Sequence, residues 1–169
     1  MALDRAAVRW NIVLREIGSA RRSPGVFDHV DVTLAQPLVW MNQNGPVVQE
    51  LVTALRLTPH DLIVIHDDVD LPVGRLRIKR SGGSGGHNGV RSVQAALGSQ
   101  EFCRLKIGIG RPAPGEETAD YVLTSFRKDE RDIVEQALTH AVLALESCLS
   151  EGLEKAMNRF NVRDPEGAE

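Results

Sequence analysis

The chain has 169 residues, of which 42% are hydrophobic, and this length and composition suit one folded domain with its own core. Its net charge is −3. No apolar run approaches the roughly 20 residues of a membrane-spanning helix, and the opening residues MALDRAAVRW lack the apolar stretch of a signal peptide. Cys103 and Cys148 are isolated in the sequence, so we expect free thiols in a cytoplasmic protein.

The basic residues are unevenly distributed along the chain. Residues 75–111 contain eight Lys or Arg residues and a single acid, Glu101, so this segment carries +7 and the remainder carries −10. A basic segment of this kind favours a polyanionic partner. The alternative is a solvated face of lysines and arginines without any partner.

The first part of the chain predicts a helix, a strand pair and a second helix. Apolar residues recur at helical spacing over residues 1–16. After a turn or loop at 21–25, the alternating stretch 26–38 predicts one or two strands of a hairpin that Pro37 ends. Pro46 suits the first turn of a helix that runs to about Arg56.

The second part predicts strands that alternate with helices. We expect strands at 61–66, 75–80 and 103–110 and helices at 88–97, 128–149 and up to 160, followed by a frayed tail. The strand at 75–80, RLRIKR, would turn its cations outward. Alternating strands and helices predict a single α/β domain with three α/β/α layers around a mixed, mostly parallel sheet.

A glycine-rich turn lies at the centre of this pattern. Residues 81–91 have the sequence SGGSGGHNGVR and end in a helix start. The first backbone N–H groups of a helix have no partner, so such a turn suits an anion or a polarised carbonyl. No Gly-Lys-Ser/Thr follows, so the turn is not a phosphate-binding loop of the nucleotide triphosphatase kind.

Polar side chains follow the predicted strands at three places. Asn42 follows the first strand pair, Asp67 and Asp68 follow the buried strand, and His87 and Asn88 follow the glycine turn. Ligand sites form at such strand ends in open α/β sheets. Two carboxamides, a carboxylate and an imidazole could bind an ester carbonyl, orient a water molecule and stabilise an oxyanion.

Four motifs in this order resemble bacterial peptidyl-tRNA hydrolases: WMNQNG, HDDVDLPVGRLRIK, GGSGGHNGVRS and FCRLKIGIGRP. The similarity extends through the C-terminal KAMNRFN. It implies a monomeric, cytoplasmic, metal-independent esterase without a cofactor. Such an enzyme cleaves the ester between a peptide and the 3′ ribose of tRNA, which recycles the tRNA.

The resemblance also implies roles for individual residues. Asp67 would orient a catalytic histidine, Asn42 would hold the water or the carbonyl, and Asn88 would place the substrate and stabilise the oxyanion. The remaining positions implied in binding the peptide and the tRNA acceptor stem are Trp40, Met41, His87, Arg77, Lys79 and Lys106.

One part of the family pattern is missing from this sequence. The family opens with a strand and loop that read roughly GLGNPG…TRHN and supply the catalytic histidine, whereas this chain begins at MALD, inside the helix that follows. We therefore expect a domain that is incomplete at its N-terminus and impaired in catalysis. His29, His60 and His140 lie on other predicted elements and offer no substitute.

Two alternatives remain open. The basic strand and the asparagines would also suit a non-catalytic RNA-binding module. Less favoured is a metal-dependent hydrolase, in which Asp67, Asp68, Asp70 and His87 would hold magnesium or zinc.

Overall fold

The computed structural model describes residues 1–161, and the predicted frayed tail lies outside the described residues. The mixed α/β class is confirmed, since helices cover both faces of a sheet. None of the helices described is both long and apolar enough to span a membrane.

The described residues form six strands and six helices. The strands are β1 (Arg15–Ile17), β2 (Ala20–Phe27), β3 (Val30–Pro37), β4 (Ile63–Asp68), β5 (Leu76–Lys79) and β6 (Cys103–Gly108). The helices are α1 (Ala2–Arg9), α2 (Asn44–Ala54), α3 (Asn88–Leu97), α4 (Thr118–Tyr121), α5 (Arg131–Ser150) and α6 (Leu153–Phe160).

Two local predictions in the first forty residues are wrong. Helix α1 ends at Arg9 rather than near residue 16, because Asn11 adopts a left-handed φ of 53° that a helix cannot continue through. Residues 21–25 belong to strand β2, and the turn lies instead at Asp28 and His29, which both have positive φ. Positive φ at both central residues is typical of two-residue hairpin turns.

The strands form two three-stranded sheets. One sheet has the order β1-β2-β3 and is antiparallel throughout. The other has the order β4-β6-β5, in which β4 and β6 are parallel and β5 and β6 are antiparallel. The strand pairing is therefore less parallel than expected, with one parallel pair among the described residues.

The second sheet separates two layers of helices. Ile63 and Ile65 of β4 pack in a cluster with α1, α5 and α6, whereas Val64 packs on the opposite face with Val90 and Val93 of α3. This alternation follows from the two-residue period of a strand. Helices α1, α5 and α6 therefore cover one face of this sheet, and α3 covers the other.

The outer edge of β5 is closed by a side chain. Asn161 donates from Nδ2 to the Ile78 carbonyl at 2.9 Å and accepts from the Ile78 N–H at 2.7 Å through Oδ1. The asparagine amide therefore replaces the hydrogen bonds of a neighbouring strand. Protection of this kind keeps an edge from pairing with other chains.

The two cysteines, isolated in the sequence, meet in the fold. Cys103 of β6 and Cys148 of α5 are free thiols joined by a hydrogen bond. That bond, together with burial, raises the pKa of Cys103. A protonated, buried thiol is unreactive, so we assign Cys103 a packing role.

Candidate active site

A carboxylate–imidazole pair forms the centre of the site. Asp67, at the carboxyl end of β4, accepts a hydrogen bond through Oδ1 from His87 Nε2 at 3.3 Å. His87 caps helix α3, and its Nδ1 accepts from the Val90 N–H at 3.1 Å. Since Nδ1 accepts, the proton of neutral His87 lies on Nε2, and both ring nitrogens are engaged.

Asp67 is held in its charged form. The hydrogen bond from His87 lowers the pKa of this carboxyl, and that effect outweighs the opposing effect of burial. Its side chain remains 36% exposed, so solvent or a substrate can reach it. An ionised and accessible carboxylate can orient a water molecule or a second imidazole.

His66 is a second imidazole beside this pair, which the sequence interpretation did not place in the site. Its ring centroid lies 4.6 Å from that of His87. Its Nδ1 donates to the Asp67 carbonyl at 2.6 Å, and its Nε2 is buried without a partner among the described residues. Burial and the neighbouring His87 lower the pKa of His66 to about 4, so the ring is neutral at pH 7.

We predict that His66 makes the protein less stable in mild acid. The pKa of His66 is about 4 in the folded state, whereas that of a histidine in the unfolded chain is 6.5. The unfolded chain therefore binds more protons, and stability falls as the pH drops through this window. Between pH 7 and pH 5 the loss in free energy of unfolding is about 2 kcal/mol. Urea unfolding at the two pH values measures it.

The variant His66→Gln serves as the control for this pH dependence. It removes the titrating group, so its free energy of unfolding should change little between pH 7 and pH 5. The carboxyls of Asp67, Asp68 and Glu146 have ordinary pKa values of 3.8 or 4.5, which the fold lowers further, so they titrate mainly below this range. An equal loss in His66→Gln and in the wild type would contradict the assignment.

The two aspartates that follow Asp67 in the sequence, Asp68 and Asp70, each form an ion pair. Asp68 and Lys106 form an ion pair in which both side chains are largely buried. Burial raises the pKa of Asp68, but hydrogen bonds from Lys106 and from the Asp70 N–H outweigh it and lower the pKa overall. Asp70 pairs with Arg111 at 2.8 Å on the surface.

This pairing bears on two predictions. Asp67, Asp68 and Asp70 each face a different partner, and no group of three metal-ligating side chains converges within residues 1–161. The geometry therefore does not favour the metal-dependent alternative. The prediction that Lys106 contacts tRNA directly is not favoured either, because its ammonium is buried against Asp68.

A buried arginine supports the glycine-rich turn from below. Arg104 of β6 is fully buried and donates from Nη1 to the Gly83 carbonyl at 2.5 Å. Gln94 of α3 donates to the Gly82 carbonyl at 2.7 Å. These two bonds hold the turn against the sheet and helix, and so fix where His87 begins α3.

The WMNQNG motif lies against the start of α3. The 3₁₀ turn Met41–Gln43 packs there, and the Met41 Cγ is 2.7 Å from where a Cβ on Gly89 would lie. Only glycine allows this approach. Met41, Asp67 and His87 line one cleft, as the sequence predicts for these residues.

The two predicted asparagines lie on these neighbouring elements. Asn42 is in the 3₁₀ turn and Asn88 is the first residue of α3, and both are exposed. Trp40 precedes the turn and is 80% exposed, which leaves its indole open to a ligand. In the described part of the chain, no hydrogen bond joins either asparagine to the Asp67–His87 pair.

Asn44 is a further polar residue that the sequence interpretation missed. It begins helix α2 and lines the same cleft as His66 and His87. Its Oδ1 is buried without a partner among the described residues. The sequence feature that could have indicated Asn44 as a site residue is its position next to Gly45 at the start of a helix.

Strand β5 presents two of the predicted cations to solvent. Arg77 and Lys79 are exposed while Leu76 and Ile78 are buried, as the alternating sequence predicts. Arg77 neighbours Lys106 in the ladder, and Lys79 neighbours Arg104. The exposed cations therefore share a face with Lys106 and with Arg104, which supports the glycine turn.

An accessible carboxylate fixed by an imidazole, in a cleft at the strand ends of a mixed α/β fold, is typical of hydrolases that use general acid–base chemistry. A peptidyl-tRNA hydrolase family model matches residues 1–167. The chain belongs to the peptidyl-tRNA hydrolase family.

Individual relatives agree with this assignment. The chain is 44% identical to a peptidyl-tRNA hydrolase of Koribacter versatilis, over 100% of this chain and 85% of that protein. It is 40% identical to that of Bacillus subtilis, over 96% of this chain and 87% of the relative. The crystal structure of peptidyl-tRNA hydrolase from Acinetobacter baumannii superimposes with a TM-score of 0.90 at 28% identity, over 97% of this chain and 84% of that one.

These comparisons confirm the resemblance but not every part of it. The expected truncation at the N-terminus is not supported, since the alignment with the Koribacter protein takes in the whole of this chain. The identity of the catalytic and binding residues stays a prediction.

Proposed function

We propose that this chain hydrolyses the ester between a peptide and the 3′ ribose of tRNA, as a cytoplasmic monomer. The observation that carries the proposal is the Asp67–His87 pair, which leaves an ionised carboxylate accessible in the cleft. Family membership supplies the class of substrate.

Asp67 has the central role in this proposal. His87 fixes its Oδ1, so the second oxygen can accept a hydrogen bond from the attacking water or from an imidazole that takes the proton from that water. The negative charge of Asp67 would also stabilise an imidazolium as it forms.

The exposed amides and cations would bind the substrate around this centre. Asn42 and Asn88 would donate to the ester carbonyl and to the oxyanion that develops on it, and Trp40 would offer a stacking face to the terminal nucleotide. Arg77 and Lys79 lie where they could contact phosphates of the acceptor stem. Lys106 would act indirectly, through Asp68.

None of the five histidines, all in the described part of the chain, is a ready general base. His87 uses both ring nitrogens, and the Nε2 of His66 is buried with a pKa near 4. His29 lies in the β2–β3 turn and His60 in the 3₁₀ turn before β4. His140 lies on α5. We therefore propose that residues 1–169 turn over peptidyl-tRNA slowly, with Asp67 in place and no free imidazole beside it.

Chemical rescue tests this proposal. Imidazole added at tens of millimolar should raise the rate of peptidyl-tRNA hydrolysis by the protein about tenfold or more, because it can occupy the position next to Asp67. The rate with imidazole but without protein is subtracted. The same addition to Asp67→Asn should have little effect.

Other outcomes separate the alternatives. Rapid hydrolysis that imidazole does not change would show that the chain contains its own general base. Salt-dependent binding of tRNA with no hydrolysis in any arm would instead favour the RNA-binding module.

A further inference from the structure

Strand β5 carries the two exposed cations of the proposed tRNA surface. It runs over Leu76–Lys79, and within it Arg77 and Lys79 are exposed. It pairs with one strand, β6, and lies at the edge of its sheet. Because both cations project from one face of a short strand, about 7 Å apart, their positions depend on how firmly the two edges of β5 are held.

The pairing with β6 places like charges opposite each other. Arg77 lies opposite Lys106, and Lys79 lies opposite Arg104. Cations that face each other directly across an antiparallel ladder destabilise the pairing. Asp68 neutralises Lys106, whereas the group to which Arg104 donates is a neutral backbone carbonyl. A contact on the other edge of β5 would therefore offset a weakness of this ladder.

The backbone of Ile78 faces that other edge. In an antiparallel pair, the backbone groups of alternate residues point toward and away from the partner strand. The Arg75 carbonyl accepts from the Gly108 N–H of β6, so the backbone groups of Ile78, three residues later, point away from β6. Ile78 is only 1% exposed, so water does not reach them. Its N–H and C=O need partners within the protein.

Asn161 supplies both partners. Its Oδ1 accepts from the Ile78 N–H at 2.7 Å, and its Nδ2 donates to the Ile78 carbonyl at 2.9 Å. Asn161 directly follows helix α6, which packs against β5. The amide side chain has one acceptor oxygen and a donor nitrogen, which matches the two backbone groups. Loss of this side chain would leave two buried backbone groups unpaired, midway between the two cations.

The second polar contact between α6 and the end of β5 is weaker. Arg80 Nη2 lies 3.1 Å from Glu154 Oε1, and both side chains are well exposed. Exposed ion pairs contribute little to stability. Leu76 and Ile78 pack in the main core cluster, but these contacts hold the face of the strand and not its edge. The amide of Asn161 is thus the contact that pairs the outer edge.

We propose that Asn161 is a positioning residue for tRNA binding, because its amide pairs the outer edge of β5 and holds Arg77 and Lys79 in place for the phosphates. A strand that is loose in the free protein must be ordered when RNA binds, and this ordering lowers the affinity. The inference rests on the proposed function, since it takes tRNA as the polyanion. Asn161 itself acts through β5 and contacts no substrate.

The test is a double-mutant cycle on the affinity of the full chain for uncharged tRNA at one fixed salt concentration. Asn161→Leu has a side chain of similar volume and lacks both hydrogen-bonding groups. We expect it to raise the Kd about fivefold, and to raise the KM for peptidyl-tRNA by the same factor with kcat unchanged. In a protein that already carries Arg77→Gln and Lys79→Gln, the same change should raise the Kd less than 1.5-fold.

Amide hydrogen exchange checks the cause of the weaker binding. Exchange at Ile78 should be at least tenfold faster in Asn161→Leu than in the wild type. Thr58→Val is the control for a hydrogen bond lost elsewhere, because it removes the 2.7 Å bond from the Thr58 hydroxyl to Asp61. Its Kd should stay within 1.5-fold of wild type. If Asn161→Leu does not fold, Asn161→Ser replaces it, since a smaller side chain admits water to both backbone groups.

Three results would overturn the inference: a Kd unchanged by the loss of the amide, an equal loss of affinity with and without the two cations, and a wild type that does not bind tRNA. Binding of uncharged tRNA requires no ester hydrolysis. Failure of the proposed function would instead appear as tRNA binding by the wild type with no hydrolysis in any arm of the imidazole experiment.

Discussion

Asp67→Asn is expected to lower the rate of peptidyl-tRNA hydrolysis at least about 100-fold. The amide oxygen of asparagine can still accept from His87 Nε2, so the geometry around helix α3 is retained. The negative charge, which orients the water or imidazole and stabilises the positive charge that forms, is lost. Single-turnover hydrolysis of labelled peptidyl-tRNA, with and without imidazole, measures the effect.

Asp70→Asn is the matched control for this variant. Asp70 is three residues away and also carries a negative charge, but it forms an exposed ion pair with Arg111. Exposed ion pairs contribute little to stability. The rate of hydrolysis and the equilibrium constant of unfolding should therefore both stay within about twofold of wild type. A similar loss of activity in both variants would show that Asp67 acts only through the net charge of the protein.

Gly45→Ala is expected to destabilise the protein by about 3 kcal/mol, although alanine is the better helix former. A Cβ on Gly45 would lie 2.1 Å from the Ser92 carbonyl oxygen and 2.9 Å from the Ala96 Cβ, so α2 would have to move away from α3. The movement would also strain the bond from the Gly45 N–H to Ser92 Oγ, now 2.9 Å. We expect the Tm to fall by roughly 6–12 °C.

Gly83→Ala separates this close approach from the general effect of a glycine substitution. A Cβ on Gly83 meets nothing within 4 Å, and the residue does not have a positive φ. Its Tm should therefore remain within about 2 °C of wild type. If Gly45→Ala melts at the same temperature as Gly83→Ala, the α2–α3 crossing is more adaptable than its geometry indicates.

Sequence patterns predicted one part of the candidate site and did not predict another. Asp67 and His87 are twenty residues apart, yet their positions after a strand and before a helix were sufficient to predict that they share a cleft. The partner of Lys106 could not be predicted in this way. Its pairing with Asp68 depends on the register between β4 and β6, which no local pattern specifies.

The burial of Arg104 and His66 could not be predicted from local sequence patterns either. Both looked like ordinary members of a basic strand and a strand end, but one is fully buried beneath the glycine turn and the other has a pKa near 4. Burial of a polar side chain depends on which helices cover the sheet, and its pKa follows from that burial.

By itself the sequence determined the class of fold, most of the helices and strands of the second half of the chain, and the motifs that identify the family. Hydrophobic periodicity and turn residues report on local structure, so those predictions needed no knowledge of distant contacts. The tertiary structure alone decided which cations are paired and which histidine is buried. These features arise from contacts between residues far apart in the chain, where packing and strand pairing outweigh local preference.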